Sequence, residues 1–353
     1  MVLDINLIKV LLPSILSFLF GICITPFLTN FLYSRKMWKK KNVQATIDGR
    51  PAPITQSLHN DEKVPVPRMG GIVIWGSVFL SAASIWIIAH VISSPIADKL
   101  EFVTRAQTWL PFFALLVGAV VGLIDDFYAV RDKYDQKGGG LSAKKRLLIV
   151  ASMGLIAGWW FLTKLGMTEL FVPFFGAWTV GWWIIPIVIL VMIGTYAGGV
   201  IDGIDGLSGG VFASIFSAYG VIAFAQNQID LAAFCFVIVG GVLAFLWFNI
   251  PPARFYMSDT GSMALTMALG VVAFLSNQTI VLLIIALPLV ATAGSSALQL
   301  LSKKLRNGKK ILLVAPLHHH FQAIGWPAYK VTMRYWIFSV ICAVAGVIIA
   351  LAG

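Results

Sequence analysis

Residues 111–128 read PFFALLVGAVVGLIDDFY, an apolar run that closes on two adjacent aspartates, Asp125 and Asp126. Taken from residue 107, the run approaches the roughly 20 residues that a helix needs to cross a bilayer. Carboxylates beside hydrocarbon are costly, so they face a protein interior or a wet cavity and serve a function there. The stretch therefore reads as a membrane helix that delivers acid to a site.

The rest of the chain repeats this pattern. It has 353 residues, of which 59% are hydrophobic and 12% charged, with mean hydropathy +0.88. A soluble domain carries about 25% charged residues. Apolar runs near 5–33, 70–94, 107–124, 146–164, 180–198, 208–226, 231–248, 262–277, 279–300 and 333–352 predict an all-α, polytopic integral membrane protein of about ten transmembrane helices. No repeat, low-complexity segment or soluble module interrupts it, so a single transmembrane domain over 1–353 is expected. The first run has only Lys9 ahead of its core and no small-residue cleavage site, and reads as a retained helix.

Basic residues alternate with loop number. The segment 34–68 carries eight, including Lys63 and Arg68, whereas the next carries only Lys99 and Arg105. Arg131, Lys133, Lys137, Lys144, Lys145 and Arg146 follow, then Lys164 alone; Lys303, Lys304, Arg306, Lys309, Lys310 and Lys330 precede the last run. By the positive-inside rule the odd-numbered loops are cytoplasmic and both termini lie outside. The net charge of +11 follows from these loops. Nucleic acid is a poor explanation for lysines that track topology; anionic headgroups or an anionic substrate fit better. Cys23, Cys235 and Cys342 fall far apart inside apolar runs, which argues for buried thiols and against a disulfide or a metal site.

Acid is scarce in the second half: from residue 170 onward only four acidic residues occur, three of them Asp202, Asp205 and Asp259. With Asp125 and Asp126 these lie on the predicted cytoplasmic side. Clustered carboxylates call for a cation, and a divalent metal holding a phosphate is the leading candidate. Asp125 and Asp126 are read as a helix end, where negative charge opposes the macrodipole. Neighbours on a helix point about 100° apart, so one faces the site and the other acts as a base or second ligand. The plain alternative is an acid pair satisfied by water and lysines. Asp202 and Asp205, in GGVIDGIDGLSGG, share a face if helical, with glycines allowing close approach. In NIPPARFYMSDTGS, Pro251-Pro252 ends a helix and Asp259 opens another, where free backbone donors suit an anion; a simple N-cap is the alternative. His318, His319 and His320 are consecutive, so they do not form a three-histidine zinc site alone, yet an imidazole suits phosphate or proton transfer.

Together PRMGG (67–71), IDDF (124–127), GLSAKKR (140–146), DGIDGL (202–207), FNIPPA (248–253), MSDTGS (257–262), PLHHHF (316–321) and GWP (325–327) resemble, in order and spacing, the polyprenyl-phosphate N-acetylhexosamine-1-phosphate transferase superfamily, most nearly its peptidoglycan branch. The chain departs from that pattern at Gly199, where the family usually has asparagine. It departs also at Ser258 for glycine, Val66 and Arg68 for threonines, and Arg146 for lysine, and its 34–66 loop is longer.

The resemblance implies a transferase that moves phospho-MurNAc-pentapeptide from UDP-MurNAc-pentapeptide to undecaprenyl phosphate in the inner (plasma) membrane, releasing UMP and forming lipid I. It implies Mg2+ held by Asp202 and Asp259. Asp125 or Asp126 would act on the lipid phosphate, as a base or as a covalent nucleophile, with Asp259 in the catalytic set. Asp205, Asn249, His318, His319, His320, Lys145, Arg146 and Lys63 would bind substrate, with His319 and His320 favoured for the donor's phosphates. The expected partners are the two substrates and the bilayer, without nucleic acid, with a homodimer as the expected assembly. A sibling transferring GlcNAc-1-phosphate shares the aspartates and is distinguished by PLHHHF…GWP. A secondary transporter would place its acids at the bilayer midplane, often within repeats, which this sequence lacks.

Overall fold

A computed structural model describes residues 2–38, 65–92, 95–105, 107–131 and 140–353. The described residues form thirteen helices and one hairpin. Helices α1 (Val2–Ser34), α2 (Gly71–Val91), the short α3 (Pro95–Leu100), α4 (Trp109–Arg131) and α5 (Ala143–Lys164) come first. Strands β1 (Glu169–Val172) and β2 (Gly176–Thr179) pair antiparallel, Glu169 opposite Thr179. Then follow α6 (Ile184–Gly198), α7 (Leu207–Ala225), α8 (Ile229–Asn249), α9 (Ser258–Leu275), α10 (Leu282–Ile285), α11 (Leu287–Leu305), α12 (Leu317–Ala323) and α13 (Ala328–Ala352).

Nine helical segments among the described residues are long and apolar enough to cross a membrane, and they match nine of the ten predicted runs. The tenth, 279–300, is not continuous. It breaks at Ala286 into α10 and α11. Pro288 lacks the N–H that would bond the carbonyl four residues back, so the helix restarts there. The restarted α11 is amphipathic and ends on Lys303 and Lys304.

Burial identifies the centre of the bundle. The apolar window of α9 is 89% buried and those of α7 and α8 78%, against 22% for α1. An all-apolar surface is correct for the outer helices, whose partner is lipid, and the inner ones need close protein contacts instead. Glycines supply those contacts. A Cβ at Gly240 of α8 would lie 2.0 Å from the Ser14 carbonyl oxygen of α1.

The same device builds the site. Gly118 and Gly122 of α4 face α9, and a Cβ would stand 2.5 Å from the Met263 carbonyl oxygen at the first and 2.1 Å from that of Asp259 at the second. Backbones approach this closely only where side chains are absent. Gly71 at the start of α2 abuts Gly261 of α9 in the same way. Two helices, α2 and α4, thus converge on the first turn of α9.

Candidate active site

Asp125 and Asp126 are not at a helix end. Helix α4 continues to Arg131, more than a turn beyond them. The predicted conflict with the macrodipole therefore does not arise, since the dipole's charge is confined to the last turn. The contact at Gly122 places this turn of α4 against the first turn of α9. Carboxylate oxygens of Asp125, Asp126 and Asp259 come within 4.8 Å of one another.

Asp126 is fully buried, and Arg68 and Thr260 engage its two oxygens. Arg68 donates from Nε to Oδ1 at 2.9 Å, and its Nη2 forms an ion pair with the same oxygen at 2.9 Å. Thr260 donates to Oδ2 from its backbone N at 2.9 Å and from its hydroxyl at 2.6 Å. Bonds to charged groups are stronger than neutral ones, so this is a rigid clamp. Asp125 is nearly as buried. It accepts a short bond from the Leu141 backbone N–H and lies 3.5 Å from Nη1 of Arg146. Gly140 passes over this carboxylate with φ +88°, and even a Cβ there would crowd it at 3.0 Å. Asp259 is the accessible member, its side chain 24% exposed, with Arg146 at 3.3 Å and Arg68 at 3.7 Å.

Arg68 owes its place to backbone pairing. Tyr256 N–H donates to the Pro67 carbonyl at 2.9 Å, and Gly70 N–H to the Tyr256 carbonyl at 2.8 Å. Burial alone would lower the Arg68 pKa, but the charges of Asp126 and Asp259 more than reverse this, so it stays a cation. Arg68 was legible in the sequence as a departure from the family pattern, and nothing there marked it as central. Thr260 carried no signal beyond its helix-start motif.

A cavity of about 710 Å³ opens beside this cluster, lined by Arg68, Asp259, Asp202, Asp205, Asn249 and His319 among others. Asp202 was expected to share an ion with Asp259. Its oxygens are instead taken by the Ser208 hydroxyl at 2.8 Å and the Ser258 backbone N–H at 2.7 Å. Burial raises its pKa to about 6, while both hydrogen bonds and Arg68 pull it down. Ser258 has φ +56°, the left-handed conformation that favours glycine, which accounts for the family's usual glycine there.

Asn249 and Asp205 were expected to bind substrate. Asn249 is buried and uses both ends of its amide internally, accepting from Gly206 N–H and donating to the Phe255 carbonyl. Asp205 accepts from Ala253 N–H at 3.1 Å while lining the cavity. Both shape the wall.

The three histidines diverge as their spacing on α12 requires. His319 lines the cavity, its Nδ1 2.8 Å from Gln322 Oε1. His318 is fully buried beside it, and both ring nitrogens are without hydrogen-bond partners among the described residues. Burial pushes its pKa well down, so it is neutral. A Cβ at Gly203 would lie 2.5 Å from Nε2 of His318, so glycine admits this pair. His320 was favoured with His319 as a phosphate ligand. It faces the other way and accepts from Leu313 N–H at 3.3 Å.

Lys145 is exposed on the first turn of α5 while Arg146 turns inward to the cluster. Lys63 lies outside the described residues, as do Lys133, Lys137 and most of the basic 34–66 loop. At Gly199 a Cβ would make only ordinary contacts of 3.5 Å to Ser262 and 3.6 Å to Thr266. The site therefore has room where the family's asparagine usually stands.

Carboxylates and guanidiniums thus converge on one site within a polytopic membrane bundle. Residues 108–277 match the family described as Glycosyl transferase family 4. The chain is similar to the phospho-N-acetylmuramoyl-pentapeptide-transferase of Levilactobacillus brevis, 34% identical over 83% of this chain and 87% of the relative. Those of Listeria monocytogenes serotype 4b (34%, over 83% and 86%) and Methylacidiphilum infernorum (32%, over 91% and 90%) are similar along comparable lengths. At this identity and coverage the chain belongs to the phospho-N-acetylmuramoyl-pentapeptide-transferase family.

Proposed function

We propose that this chain transfers phospho-MurNAc-pentapeptide from UDP-MurNAc-pentapeptide to undecaprenyl phosphate, giving lipid I and UMP, with Mg2+ as the ion at the carboxylate cluster. The observation that carries the site reading is Asp259, the accessible acid of three, flanked by two guanidiniums and opening on a large cavity. The donor set fits the ion, because Mg2+ takes hard oxygen ligands and keeps waters and substrate phosphates in its remaining positions. Asp259 and Asp125 would hold it. When bound, Mg2+ supplies charge neutralisation at the diphosphate during displacement.

Arg68 and Arg146 face the same region and would take phosphate oxygens, for which a guanidinium's planar fork is suited. Asp126 orients Arg68 and Thr260. With three hydrogen bonds and an ion pair on its two oxygens it reads as a positioning residue, in place of the base or nucleophile expected at that position. A phosphate monoester has a second pKa of about 6, so the acceptor is largely a dianion at neutral pH and needs no base. His319 would contact the donor from across the cavity.

The protein acts as one transmembrane transferase domain over 1–353 in the inner membrane. The segregation of lysine and arginine supports a cytoplasmic site. A homodimer is the expected assembly, and cross-linking in native membranes tests it. The acids gather at one end of the bundle, which disfavours the transporter reading. Purified protein given UDP-MurNAc-pentapeptide, undecaprenyl phosphate and Mg2+ should release UMP. The UDP-GlcNAc arm should not, and UMP from that arm alone would reassign the chain to the sibling activity.

A further inference from the structure

Behind the histidine helix lies a second cavity of about 350 Å³ whose walls are almost wholly apolar, among them Ala291, Leu317, Phe321, Trp326 and Phe338. Its one charged wall residue is Arg334. The Arg334 guanidinium carbon sits 4.2 Å from the Trp326 ring centroid, and Lys330 Nζ lies 5.3 Å from the same ring. Phe321 stacks on Trp326, at 4.8 Å and 16°. Lys330 and Arg334 are both exposed and stand one turn apart on α13, so two like charges converge on a single indole. From Thr260 to the C-terminus the sequence contains seven lysines and arginines and no acidic residue. Neither cation forms an ion pair with a carboxylate among the described residues.

An apolar slot with paired cations at its mouth is complementary to an amphiphile with an anionic head. The slot is in the first three turns of α13, the end nearest the catalytic cavity, where headgroups of that leaflet meet the protein. Its volume distinguishes among amphiphiles. At about 30 Å³ for a water-sized group, 350 Å³ holds on the order of a dozen methylenes, close to one acyl chain and far less than a long polyprenyl tail. We propose that this slot binds one anionic membrane phospholipid, its acyl chain against Phe321 and Phe338 and its phosphate on Lys330 and Arg334. Leu317 and Phe321 are on the same short helix as His319, so the lipid packs the back of the helix whose front lines the catalytic cavity.

The test measures lipid retention and not turnover, so it stands apart from the assigned reaction. Full-length protein in detergent is equilibrated with phosphatidylglycerol or phosphatidylcholine of matched chains, and bound lipid is counted by native mass spectrometry. The wild type should retain one phosphatidylglycerol at least tenfold more tightly than phosphatidylcholine. Lys330→Gln/Arg334→Gln should remove that preference, and Ala291→Trp, which fills the slot, should reduce retention of both lipids. Lys304→Gln/Lys310→Gln, at exposed cations outside the slot, should retain the wild-type pattern. Equal retention of the two lipids by wild type, unchanged retention by the Lys330/Arg334 variant, or an equal loss in the Lys304/Lys310 variant would each overturn the proposal. Displacement of phosphatidylglycerol by equimolar undecaprenyl phosphate in wild type alone would overturn it too, by giving the slot to the acceptor.

Discussion

Replacing Asp126 with asparagine removes one charge and one acceptor from the most buried point of the cluster. The carboxylate receives one hydrogen bond and an ion pair from Arg68 on Oδ1 and two hydrogen bonds from Thr260 on Oδ2. An asparagine offers one oxygen, so either Arg68 or Thr260 must face an NH2 group. Breaking one partner of a buried pair costs about 3–5 kcal/mol. Arg68 is 24% exposed and regains some water, which places the expected loss near 3 kcal/mol. Arg68→Met should cost a similar amount by stranding the Asp126 charge. Because the two losses are largely the same interaction, the double variant should fall short of their sum by about 1–3 kcal/mol. Thermal unfolding in one detergent at one scan rate gives the cycle. Turnover gives the second readout: as a positioning residue, Asp126→Asn should lower kcat evenly across pH, whereas loss of a base would be worst below the acceptor's pKa of about 6. Additivity within about 0.5 kcal/mol, or a folded Asp126→Asn protein at the wild-type rate, would refute the clamp.

Chelation should abolish turnover and Mg2+ restore it, and Asp259→Asn should lose at least about a hundredfold in kcat while remaining folded, consistent with several kcal/mol of electrostatic stabilisation. A wild-type rate from that variant would remove Asp259 from the ion. Gly122→Ala drives a methyl into the Asp259 backbone and should cost about 1–3 kcal/mol and most activity, while Gly199→Ala meets only ordinary contacts and should leave stability near wild type. Equal melting temperatures for the two variants would contradict the close crossing of α4 and α9. Asp202 has a folded pKa of about 6 against 3.8, so burial favours its protonated form. That contribution is complete below 3.8 and lost as pH rises through about 6, a span worth up to about 3 kcal/mol at 1.36 kcal/mol per pH unit. Metal-free protein should therefore lose stability over that window, and Asp202→Asn should flatten the loss; an unchanged slope would show that another group titrates.

The sequence alone determined what depends on local composition and order. Apolar runs with a length matched to the bilayer define nine helices among the described residues, and the scarce acids mark the candidate site. The motifs from PRMGG to GWP singled out Asp125, Asp126, Asp259 and His319 as candidate site residues. Tertiary structure decided how these residues divide the work, since that depends on which backbones touch. Gly118 and Gly122 let α4 meet α9, and this crossing gathers Asp259 with Asp125 and Asp126 and leaves Asp202 to Ser208 and Ser258. Arg68 read as a stray substitution until the pairing of residues 67–70 with Tyr256 set it against Asp126. The break at Ala286 was hidden because hydropathy averages over a window, whereas one proline acts at a single carbonyl. Charge and apolarity are properties of residues and can be read in order; a partner is a property of two residues and exists only once the chain has folded.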